Sequence, residues 1–203
     1  ELGTDYIDLY QLHSPNPQWS IADTMAGLMR LKEQGKIRYI GLSNFSADLT
    51  EKALNYGPIH SSQPRYNLLH REAEQFILPF LLKNGIGAIV HSPLGKGILA
   101  GSYRPGHTFS DDDERSSHSI FNADYVRRGS LASERLLEFA ADHNRTLSEL
   151  AIAWTLAHPA VTSSIVGAKT PEQARANARA ANWNLSNHDL AIIDKLIDWK
   201  PDA

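Results

Sequence analysis

Residues 4–15, TDYIDLYQLHSP, decide the reading of the fold: an apolar strand runs into a polar cluster, with His13 at its carboxyl end. The pattern returns in GKIRYIGLSNF, where a short strand over residues 37–42 delivers Ser43 and Asn44 into a turn. Two consecutive strands therefore aim polar side chains at one rim. In a parallel α/β sheet or barrel, the rim at the carboxyl ends of the strands is where ligands bind.

Working outward, Ser20 is placed to cap a helix whose apolar residues Ile21, Met25, Leu28 and Leu31 keep the helical period, and Gly35 is placed to stop it. Ser46 opens a second helix ending near Gly57, and a short strand over about residues 60–63 leads through Gln63 into PRYNLLHRE. Residues 73–84 read as helix, and residues 86–91 as a buried strand ending in Ser92 and Pro93. The composition of residues 95–128 then turns to Gly, Ser, Asp and Arg, which reads as one long loop of the functional or disordered kind. Helix returns at about residues 131–143 and again behind a capping box of Thr146 and Glu149, with Pro159 closing it. A last strand over residues 162–166 runs into GAKTPEQARANARA, and an amphipathic helix follows from Ser186. About five strands alternate with helices, and one composition regime spans residues 1–203, so the expectation is a single domain. A closed (β/α)8 barrel has eight strands in typically about 250 residues, which leaves strands unaccounted for before Glu1, where the chain begins as if cut.

The chain of 203 residues, 42% hydrophobic, is long enough for one substantial core. A net charge of -3 and a pI near 6.3 do not suit a polyanion-binding surface, so nucleic acid is not an expected partner. With 0 Cys there is no disulfide framework and no thiolate metal site. No apolar run approaches the roughly 18 residues of a membrane span, and no basic-then-apolar leader is visible; the expected compartment is the cytoplasm.

The segment SSIVGAKTPEQ carries the strongest physical signal. Gly167 allows a tight exit from the strand, Thr170 caps the next helix, Pro171 suits its first position, and Gln173 completes a capping box. The helix terminus offers amide groups and a positive dipole end beside Lys169, which makes an anion site; an ordinary capped helix with a solvated lysine gives the same pattern. His13 fits an acid/base role or a structural hydrogen bond, and Ser43 and Asn44 fit ligand contacts or a helix cap. Gln63 and Asn67 are equally open, and Tyr66 suits either a flat wall for a heteroaromatic ring or a filler of the barrel mouth. Gly95, Gly97 and Ala100 mimic a dinucleotide fingerprint, but Gly101, Pro105 and Gly106 forbid the helix it requires, which sets a Rossmann site aside. The acidic run 111–114 does not match a calcium loop, and HExxH and GxSxG motifs are absent from the sequence, so no metal site is expected.

Taken in order, LGTDYIDLYQLHSP, GKIRYIGLSNF, QPRYNLL, HSPLGKGILAG and VGAKTPEQARAN resemble the aldo-keto reductase family over nearly the whole chain. The resemblance implies a (β/α)8 TIM barrel, here truncated to about five strands on its amino-terminal side, that reduces aldehydes and ketones with NADP and without a metal. It implies that His13 polarises the substrate carbonyl, that Ser43, Asn44 and Gln63 hold the nicotinamide carboxamide, and that Tyr66 stacks on the nicotinamide ring. Ser92, Leu94, Gly97 and Leu99 fall in the pyrophosphate motif, and Gly167, Lys169, Gln173 and Asn177 in the motif for the adenosine and 2'-phosphate. The family's catalytic Asp, Tyr and Lys correspond to positions before Glu1, so the chain alone is expected to be inactive. Arg65 and His91 depart from the family pattern. Potassium-channel beta subunits share this fold, which keeps a nucleotide-sensing role as the alternative to an enzyme, beside a truncated product without function.

Overall fold

The computed structural model describes residues 2–103, 107, 108, 110, 112 and 123–198. Among these residues five strands, β1 (Ile7–Leu12), β2 (Ile37–Ser43), β3 (Ser61–Gln63), β4 (Gly87–His91) and β5 (Val161–Ile165), form one sheet in the order β1-β2-β3-β4-β5. Every neighbouring pair is parallel. Among the described residues β1 and β5 are the sheet's edges. Among the described residues seven α-helices accompany them: α1 (Ile21–Glu33), α2 (Ala47–Leu54), α3 (Ile77–Lys83), α4 (Ala123–Asp142), α5 (Leu147–Leu156), α6 (Pro171–Ala180) and α7 (Asn187–Leu196).

The chain packs as two compact units. The first holds the sheet with α1, α2 and α3. Its helices α1 and α2 start where hydroxyl caps predict: Ser20 accepts from the Asp23 amide and Ser46 from the Leu49 amide. Gly35, at φ +69, takes the left-handed position that ends α1. The apolar faces bury Met25 and Leu28 of α1 and Leu78 and Leu81 of α3, with Ile40, Leu42, Ala88 and Val90 from the strands. The helix expected over residues 73–84 is divided into a 3-10 turn, Glu72–Glu74, and α3.

The second unit is helical, built from α4 to α7 and a 3-10 segment, Gly95–Ala100. Two corrections to the sequence reading fall here. Residues 95–100 are ordered into that segment, and α4 begins at Ala123, well before the expected residue 131. The first turns of α4 look polar because Asp124 pairs with Arg127 and Arg128, each at 2.8 Å. Its inward face carries Tyr125, Val126, Gly129, Ser130 and Ser133, too small and polar to print an apolar period. A Cβ on Gly129 would come within 2.5 Å of Ile98 Cγ2, so glycine is what lets the 3-10 segment lie against α4. Ser133 donates to the Ile98 carbonyl at 2.9 Å. The acidic run 111–114 lies largely outside the described residues.

Glu149 holds the second unit's helix ends together. It completes the capping box of α5, accepting from the Thr146 amide and hydroxyl at 2.9 Å each. It also receives Arg145 at 3.3 Å and Arg179 of α6 at 3.2 Å. Burial alone would raise the pKa of its carboxyl, but the Thr146 donors, Arg179 and Arg145 together hold it below the usual glutamate value. A lowered folded-state pKa means a stabilisation fully present above the unfolded pKa and lost as pH falls through the folded one. Glu149→Ala is expected to cost about 2–4 kcal/mol in denaturant unfolding at neutral pH, and to flatten the acid limb of the stability profile. An unchanged unfolding midpoint would contradict this role.

Candidate functional site

The strand ends of the first unit are joined by one polar network. Its footing is a row of residues in register, Gln11 opposite Gly41 and Gly41 opposite Ser61. A Cβ on Gly41 would stand 2.4 Å from Ser61 Oγ and 2.6 Å from Gln11 Cγ, so both neighbours occupy the space glycine leaves. One row further toward the rim, Ser43 lies opposite Gln63 and donates through its hydroxyl to the Gln63 carbonyl at 3.2 Å. Gln63 in turn donates through Nε2 to Gln11 Oε1 at 3.2 Å.

Asn44 ties the rest together. The chain turns sharply off β2 at this residue, with φ 59, a left-handed value that asparagine accommodates better than most side chains. Its backbone N–H donates to the Gln63 carbonyl at 3.1 Å. Its Nδ2 donates to the His13 carbonyl at 3.0 Å and to Ser43 Oγ at 3.1 Å, and its Oδ1 stands 3.1 Å from His91 Nε2. The carboxyl ends of β1, β2, β3 and β4 are thereby linked through side chains.

Three of the sequence-predicted residues, Ser43, Asn44 and Gln63, are thus in direct contact, and His13 joins them through its backbone. The His13 imidazole is exposed and makes no hydrogen bond among the described residues. Tyr66 stands differently. Its ring is 2% exposed, and its hydroxyl donates to Glu74, whose carboxylate also takes a two-pronged contact from Arg71 at 2.9 and 3.0 Å. In this structure the ring is core, with no open face. Gln11 and His91 are neighbours of this network that strand-end pattern reading passed over: Gln11 sits within β1, and His91 registers only as a departure from the family pattern.

In the second unit, Asn67 is buried and donates to the Ser92 carbonyl at 2.9 Å, while its Oδ1 accepts from the Leu69 amide at 2.9 Å. Ser92, at φ 60, precedes Leu94 and a segment with successive left-handed residues: Gly95 at 53, Lys96 at 55 and Gly97 at 102. The turn is closed by Gly97 N–H to the Leu94 carbonyl at 2.9 Å, and Leu99 is fully buried, so its side chain serves the core. The dinucleotide-fingerprint helix does not form here.

At α6, Thr170 Oγ1 accepts from the Gln173 amide at 3.2 Å as expected for the cap. Gln173 reaches back to the Lys169 amide at 2.7 Å, one residue earlier than a capping box requires. Asn177 donates to the Gly167 carbonyl at 3.2 Å. Gly167 has no left-handed φ, and a Cβ there would meet nothing within 4 Å, so the structure gives no steric reason for glycine at this position. The Lys169 and Gln173 amides are thus occupied, Pro171 brings none, and Lys169 is exposed beside this helix end.

Among the described residues no cluster of His, Asp and Glu is arranged to hold a metal ion, and no helix is long and apolar enough to cross a membrane. The parallel α/β sheet, with its polar groups gathered at the carboxyl ends of the strands, defines a protein of the kind that binds ligands at that rim. Residues 1–198 match the model of the aldo/keto reductase family, and the chain belongs to that family. It is 33% identical to aldo-keto reductase YhdN of Bacillus subtilis over 198 residues, which are 97% of this chain and 60% of that protein. It is 36% identical to the NADH-specific methylglyoxal reductase of Escherichia coli, covering 97% of this chain and 61% of the relative. The solved structure of a glycerol dehydrogenase from Gluconobacter oxydans superposes with a TM-score of 0.89 at 28% identity, over 97% of this chain and 60% of that one. The chain thus spans about three-fifths of the length of these relatives.

Since the rim network stands on the row beneath it, Gly41→Ala is expected to destabilise the protein by about 1–3 kcal/mol through overpacking against Ser61 and Gln11. Equilibrium denaturation measures this, and an unchanged midpoint would show that the row tolerates a methyl group.

Proposed function

We propose that this chain is part of an NADP-dependent reductase that converts a small aldehyde or ketone to its alcohol, working in the cytoplasm without a metal. The observation that carries the reading is the gathering of Ser43, Asn44, Gln63 and the backbone carbonyl of His13 at the carboxyl ends of β1 to β3, with the His13 side chain exposed. Family membership supports carbonyl reduction as the reaction, and the methylglyoxal reductase among the relatives supports a small carbonyl substrate.

The residues suit a nicotinamide nucleotide. A carboxamide needs both donors and acceptors, and Ser43, Asn44 and Gln63 supply both. Gln11 Nε2 and Ser61 Oγ are buried next to this set with no hydrogen-bond partner among the described residues. When bound, the nucleotide supplies the hydride. The His13 imidazole is proposed to donate a hydrogen bond to the carbonyl oxygen and stabilise the negative charge that develops there. The proton for the alkoxide is proposed to come from a residue outside this chain. Tyr66 is assigned a supporting place behind the nicotinamide, since stacking would first require its ring to be uncovered. Ser92, Leu94, Gly97 and Leu99 are assigned to the pyrophosphate, the last through its backbone. Gly167, Lys169, Gln173 and Asn177 are assigned to the adenosine end, with the Lys169 ammonium attracting the 2'-phosphate.

One observation favours a second reading of the cofactor: the relative at 36% identity is NADH-specific by name. The two are separated by Lys169→Glu in the full-length protein. Charge reversal should weaken NADPH binding by about 1–3 kcal/mol while leaving NADH almost unaffected. Equal effects on both nucleotides in a fluorescence titration would remove the 2'-phosphate assignment.

His13 separates an enzyme from a nucleotide sensor. In the full-length protein, His13→Ala is expected to lower carbonyl reduction about a hundredfold or more and to leave nucleotide affinity nearly unchanged. Undiminished turnover, or affinity lost in proportion to rate, would make the histidine structural.

A further inference from the structure

We infer that Asn84–Gly85 is a site of self-modification, at which the Asn84 side-chain amide is lost as ammonia to leave aspartate or isoaspartate, and that the carboxyl-terminal cap of α3 gates the reaction. Residues 1–203 hold this Asn–Gly pair and no other. Glycine in the second place matters because it has no Cβ to crowd its own backbone nitrogen. That nitrogen attacks Asn84 Cγ: a new C–N bond closes a succinimide ring, the Cγ–Nδ2 bond breaks, and Nδ2 leaves as ammonia with the proton of the Gly85 N–H. Water then opens the ring. Cleavage of the new C–N bond gives aspartate, and cleavage of the original peptide C–N bond gives isoaspartate. The only co-reactant is water, to which both residues are exposed, and a Cβ on Gly85 would meet nothing within 4 Å.

The closed cap opposes this chemistry at each reacting atom. Gly85, at φ +64, takes the left-handed position after the helix, where its N–H donates to the Leu82 carbonyl at 3.3 Å and the Ile86 N–H donates to the Leu81 carbonyl at 3.0 Å. The attacking nitrogen is therefore engaged. So is the leaving group, since Asn84 Nδ2 donates to the Phe80 carbonyl at 2.8 Å. Asn84 has ψ 5, which sets the Gly85 nitrogen near Asn84's own nitrogen and turns it away from Cβ. Ring closure requires rotation about that bond, and the rotation breaks the Gly85–Leu82 and Ile86–Leu81 pairs. The gate is a light one, because α3 has only 7 residues and a helix of that length opens locally at its end.

Modification would then keep the gate from closing properly. A carboxylate in place of the amide sets oxygen against the Phe80 carbonyl and puts negative charge at the helix end that disfavours it. Isoaspartate also lengthens the main chain between α3 and β4, whose first residue, Gly87, follows three positions later.

The inference is independent of the nucleotide reading. In the full-length protein held at neutral pH, peptide mass spectrometry should find amide loss concentrated at Asn84, with isoaspartate among the products, and Asn84→Gln should abolish it. In denaturing urea at the same pH the loss should run at least about tenfold faster, and the acceleration should begin at urea concentrations below the global unfolding transition, because only the end of α3 has to open. Asn84→Asp should lower the melting temperature, while Asn84→Gln, which keeps an amide, should lower it less. Amide loss spread evenly over the asparagines, a native rate equal to the denatured one, or acceleration that appears only with global unfolding would each overturn the gated site. An Asn84→Asp variant as stable as the original would overturn the consequence drawn for α3.

Discussion

The rim of this sheet depends on a single side-chain amide. Asn44 leaves β2 at φ 59, a backbone value that costs most residues free energy and that local hydrogen bonding makes tolerable for asparagine. Its three side-chain contacts reach the end of β1, the end of β2 and the end of β4, and its backbone N–H reaches the end of β3. A parallel sheet needs such ties at its carboxyl ends, because its ladder hydrogen bonds stop there while the loops that carry function begin. The close approach at Gly41 sets the depth of the row beneath, and the Ser43–Gln63 and Gln63–Gln11 bonds carry that placement up to the rim.

The same logic, differently executed, governs the second unit. There the backbone must pass through Gly95, Lys96 and Gly97 in left-handed conformations, and Lys96 has no glycine's freedom to do so. The surrounding packing compensates: Gly129 admits Ile98 at close range, and Ser133 caps the Ile98 carbonyl. Asn67 secures the approach at Ser92, and Glu149 binds the ends of α5 and α6 with its arginine partners.

What could be read from the sequence was whatever a few consecutive residues determine. Ser20, Ser46, Thr146, Thr170 and Ser186 each cap the helix they precede, because a cap is a contact across three residues. The strands β1, β2 and β4 were legible from their apolar runs, and the polar residues at their ends from chain order alone. The start of α4 was not, since its buried face is Gly129, Ser130 and Ser133 and its exposed face is ion-paired. Tyr66 was legible as an aromatic at a strand exit, but its burial and its bond to Glu74 depend on tertiary packing. The His91–Asn44 contact belongs to the same class: it exists only once β2 and β4 lie in one sheet. At α6, the cap was visible, but the diversion of Gln173 to the Lys169 amide was not, because adjacent amides compete for one acceptor and geometry chooses between them.

The account stands on hydride reaching a carbonyl carbon held at this rim. The most direct measurement is isotope transfer: the full-length protein is incubated with an aldehyde and NADPH deuterated at the hydride-bearing carbon, with the NADH counterpart in parallel, and the alcohol is analysed for label. The account predicts deuterium on the carbinol carbon, from one face of the nicotinamide only. Nucleotide bound without alcohol formed, or alcohol whose carbinol hydrogen derives from water, would contradict it.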